Sequence, residues 1–288
     1  MEISHSVEEL TGTATFSVPI LKEKLGTLPF AAGNKVAIEA GYNGNYQSEF
    51  TGVILKVNYD EGALQVECED DMRLLKSGKQ YAFYLKNATI KAVLNQLQIP
   101  FKTKLHNASI GNFKAQNLSA YQVLEKLKED YKTLIYLKGD ELRVIDVYDN
   151  ENKGTSIHLE RNVRGHNLSL DTDRKVKIEA RSTLKKGKKA IVVRVGDDDG
   201  EVYKLQYFGV ALQSKLKEKA EKDLERLKRD KVKGSISAFA TPYVQVGAIV
   251  MVKSKRTEAF NSAFGAKKVS LKYDSPKLAR EIEIEPLV

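Results

Sequence analysis

Apolar and polar positions alternate with a period of two through the first seventy residues. Ala14, Phe16 and Val18 interleave with Thr13, Thr15 and Ser17, and Val36, Ile38 and Ala40 with Lys35, Ala37 and Glu39. That period puts each set on one face of a strand. Asn43-Gly44 supplies the hairpin signal, because both central residues of such a turn need positive φ. Phe50 to Val57 reads as the returning strand, and Leu64, Val66 and Cys68 alternate inward in the next. Cys68 is therefore expected in the core. Short antiparallel strands at this spacing predict a small barrel-like β-domain over residues 1–86.

The period changes near residue 87. Asn87 is expected to cap a helix that carries Ile90, Val93, Leu94 and Leu97 on one face before Pro100. A second helix starts at Ser119, which forms a capping box with Gln122 while Leu118 and Val123 make a hydrophobic staple. Tyr131 to Leu137 and Leu142 to Val147 then read as a hairpin, so residues 87–149 form a small α+β insert. Residues 150–288 return to strand periodicity at Val176 to Ala180, Ala190 to Val195, Glu201 to Val210, Val232 to Ala240, Gln245 to Lys253, Lys267 to Tyr273 and Arg280 to Glu285. One long amphipathic helix, at about 210–230, interrupts them with the stripe Leu212, Leu216, Ala220, Leu224 and Leu227. The expected fold is mainly β: two small β-barrel-like domains flank an α+β segment, and the second carries the helix.

The 288 residues are 42% hydrophobic and 30% charged, the composition of a folded chain rather than a disordered one. A single cysteine excludes an internal disulfide and a cysteine zinc cluster, and favours a reducing compartment. No apolar run nears the ~20 residues of a membrane helix, and the polar, acidic stretch Met1 to Glu9 does not read as a Sec-type signal. No membrane association is expected. The net charge of +9 is uneven: residues 1–150 hold 17 Lys/Arg against 19 Asp/Glu, whereas residues 151–288 hold 30 against 19. Such a basic half suits nucleic acid or an acidic protein partner.

Catalytic chemistry finds little footing in these residues. His5, His106, His158 and His166 show neither i, i+4 pairing nor a cysteine partner, and no nucleotide or G-x-S-x-G motif is present. Gly196-Asp-Asp-Asp-Gly200 has the wrong spacing for a calcium loop and reads as a solvated hairpin turn. Glu67 and Glu69 share the solvent face of a strand, which argues against a paired-carboxylate hydrolase. No catalytic residue, metal site or cofactor is expected, and the chain is read as a non-enzyme. The densest basic feature is Lys185, Lys186, Lys188 and Lys189, candidate contacts for a partner or for phosphate. No aromatic lies between Arg174 and Arg194 to stack on single strands. A nonspecific nucleic-acid-binding module using the basic C-terminal half is the alternative reading.

Several short motifs, in order, carry a family resemblance. Gly33 to Glu39, the Phe50-Thr-Gly-Val-Ile-Leu-Lys-Val57 strand and Leu64 to Asp70 resemble the opening of tail baseplate hub proteins of the late-control D class. Ser119 to Leu127, with Leu134 to Leu137 and Leu142 to Val144, is similar to the helix and hairpin that follow. Val232 to Ile236, Pro242 to Val250 with its Val246-Gly247 turn, and Lys268 to Leu271 resemble the closing barrel. The resemblance implies a homotrimeric ring at the end of a phage tail or related injection system. Each chain would give two wall domains, matching the sixfold tail tube protein on one side and the threefold spike protein on the other. It also implies residence in the virion baseplate, assembly in the bacterial host cytoplasm, and nonspecific contact with DNA passing through the tube.

Overall fold

The computed structural model describes residues 1–19, 30–60, 62–131, 133–146, 154–171, 175–183, 191–208, 212–228 and 231–287. Five strands open the chain: β1 (Glu2–Ser6), β2 (Thr13–Pro19), β3 (Lys35–Tyr42), β4 (Asn45–Asp60) and β5 (Ala63–Asp70). Their inward sets face one another in register, with Ala14 opposite Cys68, Phe16 opposite Val66 and Val18 opposite Leu64. Ile3, Ile54, Leu64, Val66 and Cys68 share one buried cluster, and burial pushes the Cys68 thiol up in pKa. Asn43 and Gly44, at φ 53° and 81°, make the predicted tight turn between β3 and β4.

The α+β segment begins with β6 (Tyr81–Thr89), α1 (Ile90–Leu94), β7 (Lys102–Leu105) and β8 (Ser109–Leu118), and continues with α2 (Ala120–Tyr131), β9 (Thr133–Lys138) and β10 (Glu141–Asp146). The cap of α1 is Thr89, whose side chain accepts from the Ala92 amide; Asn87 instead sits at φ 49° in irregular pairing between β6 and β8. An Asn tolerates that left-handed conformation, which explains why it reads as a breaker without being the cap. The Ser119 box forms in both directions, Ser119 N–H to Gln122 Oε1 at 2.9 Å and Gln122 N–H to Ser119 Oγ at 3.2 Å. Strand β9 is buried on both sides: Ile135 joins the cluster under α1 and α2, while Leu134 and Tyr136 join a second one with Ile145. This double burial accounts for its unbroken apolar run.

The remaining elements are β11 (Thr155–His158), β12 (Val163–His166), β13 (Ser169–Asp171), β14 (Val176–Thr183), β15 (Ile191–Gly196), β16 (Glu201–Phe208), α3 (Gln213–Lys228), β17 (Lys231–Phe239), β18 (Ile249–Lys253), β19 (Ser262–Asp274) and β20 (Lys277–Pro286). The protein is mainly β. Among the described residues, strands expected in separate N- and C-terminal barrels belong to one curled twelve-stranded sheet, with β12-β17-β20-β19-β1-β2-β5-β4-β3 as its main path and β11, β13 and β18 paired off that path. The join is β1, which pairs antiparallel with β2 on one side and β19 on the other. Gly247, at φ 73° with Leu134 packed over its open side, makes the turn before β18.

Packing divides the chain into a larger unit, 1–167 with 235–285, and a smaller one, 168–234 with 286–288. Within the smaller unit, β15-β14-β16 form a sheet with α3 on one face. The long helix expected at about 210–230 is a 16-residue one. Leu212 lies 56% exposed, so the buried stripe begins at Leu216 and runs through Ala220 to Leu227. The smaller unit holds 19 Lys/Arg and 12 Asp/Glu, so +7 of the net +9 resides in it.

Candidate functional site

Alternation in β20 places Arg280 between Leu278 and Ile282 on the buried side of the strand. A guanidinium there needs a partner. It finds one through a β-bulge: Ile38 pairs with Phe50 and Glu39 with Ser48, leaving Glu49 as the extra residue of β4. The bulge turns Glu49 inward beside Phe50. Arg280 Nη2 and Nη1 donate to its two oxygens at 2.6 and 3.1 Å, and Nε donates to the Ala240 carbonyl at 3.3 Å. The two side chains are 3% and 5% exposed. The Tyr243 ring covers the guanidinium at 4.9 Å.

A cavity of about 340 Å³ opens beside this pair, lined also by His5, Asp70, Tyr136 and Gln245. His5 Nε2 lies 3.4 Å from the Glu49 carbonyl oxygen; burial, helped by Arg280, pushes the imidazole pKa down. Asp70 accepts from the Gly12 amide at 2.7 Å and the Met72 amide at 3.1 Å, capping the short 3-10 helix Asp71–Leu75. Burial outweighs those bonds and lifts its carboxyl to about 7. Both oxygens of Glu49 are held by Arg280, both of Asp70 by backbone, and His5 by a carbonyl. The arrangement is a clamp: it ties β4 to β20, 231 residues apart in sequence, and to the Ala240 turn, and anchors the end of β5.

The residues singled out by sequence fall elsewhere. Lys185, Lys186, Lys188 and Lys189 lie outside the described residues. Asp197 accepts from the Val176 amide at 3.0 Å, Asp198 pairs with Lys177 at 2.8 Å and Asp199 pairs with Lys175, so the acidic cluster closes a turn with local partners. Glu69 pairs with Lys76 at 3.0 Å and Glu67 is exposed. Among the described residues no group of His, Cys, Asp and Glu is arranged to hold a metal, and no helix is long and apolar enough to cross a membrane. The clamp was legible in part: an arginine in the apolar register of Leu278, Ile282 and Ile284 demands a buried acid. Its partner was not, because the bulge at Glu49 breaks the parity from which inward residues are read.

The fold is shared with tail proteins. It is similar to the 43 kDa tail protein of prophage MuSo2 from Shewanella oneidensis, at TM-score 0.66 and 14% identity over 99% of this chain and 93% of that one. It is equally similar to a tail protein of Neisseria meningitidis MC58, at 0.66 and 15% over 99% and 90%. The E. coli c3393 protein, a type VI secretion component described as similar to phage T4 tail proteins gp27 and gp5, superposes at 0.55 with 12% identity over 100% and 73%. No curated protein matches the sequence. The YQBQ-like family model matches residues 1–284. With nearly its whole length matched by that model, and the fold of prophage tail proteins, the chain belongs to the YQBQ-like family.

Proposed function

We propose that this chain is a structural baseplate hub protein of a phage tail or phage-like injection system. Three copies form a ring that joins a sixfold tail tube to a threefold spike, in the virion and after assembly in the host cytoplasm. Residues 1–86 and 150–288 supply paired wall elements around the insert 87–149. The likeness to prophage tail proteins along 99% of the chain is the observation that carries this reading. Two features of the sheet support it. Strand β3, at its end, pairs with β4 alone among the described residues, and an eight-residue edge is a surface a neighbouring chain can extend. The buried polar groups of the clamp are spent on holding distant strands together, as a wall under load requires.

Sedimentation velocity on the purified chain tests the reading. A species at three times the 32.2 kDa chain mass, or a ring with threefold symmetry in negative-stain images, is expected. A monomer that persists to millimolar concentration, with no ring in the presence of tail-tube and spike proteins, refutes it.

A further inference from the structure

The sheet of the smaller unit has one covered face and one open face. Val176, Ile178 and Ala180 of β14, with Val193 of β15, are buried with Leu216 and Ala220 of α3. Alternation turns the intervening residues the other way. In β14–β16 and β14–β15 register, Lys204, Glu179 and Arg194 form the middle row of the open face. On one side of that row Val202 lies beside Lys177; on the other Val192 lies beside Arg181. The two valines are 54% and 43% exposed, one on each side of the charged row. Arg194 is used by Glu179 at 2.9 Å and Lys177 by Asp198. Arg181 and Lys204, both exposed, have no ion-pair partner among the described residues.

We propose that this face docks an acidic protein surface of a neighbouring component in the assembly. Carboxylates of that partner meet Arg181 and Lys204, and its apolar side chains cover Val192 and Val202. Charge complementarity selects the partner: the face itself carries Lys177, Arg181, Arg194 and Lys204 against Glu179. A protein is favoured over nucleic acid because the exposed Val192 and Val202 offer apolar surface that phosphates do not cover. The tyrosines of β16, Tyr203 and Tyr207, pack inward against the helix side and cannot stack on bases. Three strands and five residues of each measure only about 10 by 13 Å, well under the ~800 Å² per partner of a standard interface. The contact therefore gains strength by repetition around a ring, and in this respect it rests on the proposed hub function.

Lysine acetylation compares the purified full-length chain with tail particles isolated from the organism that encodes it, followed by zero-length carbodiimide cross-linking of the particles. Lys204 is expected to react at least fivefold more slowly in particles, while Lys219 on α3 changes less than twofold, and Lys204 is expected to cross-link to an Asp or Glu of a different protein. Lys204 labelled equally in both states overturns the proposal and leaves the hub reading intact. Protection lost on nuclease treatment, a cross-link to a second copy of this chain, or protection without a carboxylate cross-link also overturns it. Absence of the chain from the particles overturns the hub reading and this proposal together.

Discussion

Removing the guanidinium of Arg280 is the sharpest test of how the larger unit is held. In R280M the Glu49 carboxylate, 5% exposed, loses both of its charge-assisted hydrogen bonds, and the Ala240 carbonyl loses its donors. A buried ion left without its partner costs about 3–5 kcal/mol. For a unit of this size about 2–4 °C accompanies each kcal/mol, so a melting temperature about 6–20 °C lower is expected by calorimetry. E49Q should cost about as much by stranding the arginine. The double variant E49L/R280M replaces both ions by apolar groups of similar volume and should recover most of the loss, because the desolvation of two ions offsets much of their attraction. A drop under about 2 °C for R280M, or a double variant as unstable as the sum of the singles, would refute the claim that the pair is a mutually dependent clamp.

The Asp70 carboxyl is lifted to about 7 from an ordinary 3.8, so between those values the folded state binds a proton that the unfolded chain lacks. Stability from this group falls as pH rises from about 4 to about 7, by up to about 1.4 kcal/mol per pH unit, and D70N should remove that slope in urea titrations at a series of pH values. His5, pushed down by burial, acts in the opposite sense, destabilising the fold as pH drops below 6.5, and H5Q should abolish that component in the same titrations. G247A forces a side chain into φ 73° and against Leu134, and should lower stability by about 1–3 kcal/mol in denaturant unfolding. S119A breaks one arm of the capping box on α2 and should cost about 1 kcal/mol in the same measurement.

Much of the local structure follows from hydrophobic period and turn chemistry. The strands at Thr13, Lys35 and Leu64, the Asn43-Gly44 turn and the Ser119 cap each depend on a few neighbouring residues, and the structure places them where the pattern does. Asn87 departs from its expected role because an N-cap takes an extended backbone, which Thr89 has at φ −112°, whereas Asn87 sits at φ 49°. The helix Gln213–Lys228 takes in the stripe from Leu216 to Leu227 and leaves Leu212 exposed just before its first turn.

Sequence by itself determined the mainly β character and the inward and outward sets of most strands. Tertiary structure alone decided that the first and last strands share one sheet, since the β1–β19 pairing joins residues about 270 apart and leaves no local signature. It alone decided that Glu49 is the acid, through a one-residue bulge that reverses strand parity, and that the excess positive charge gathers on a unit of 67 contiguous residues and three terminal ones. Local rules act through dihedral preference and nearest-neighbour burial; which distant surfaces meet depends on closure of the whole sheet, and only the folded chain states it.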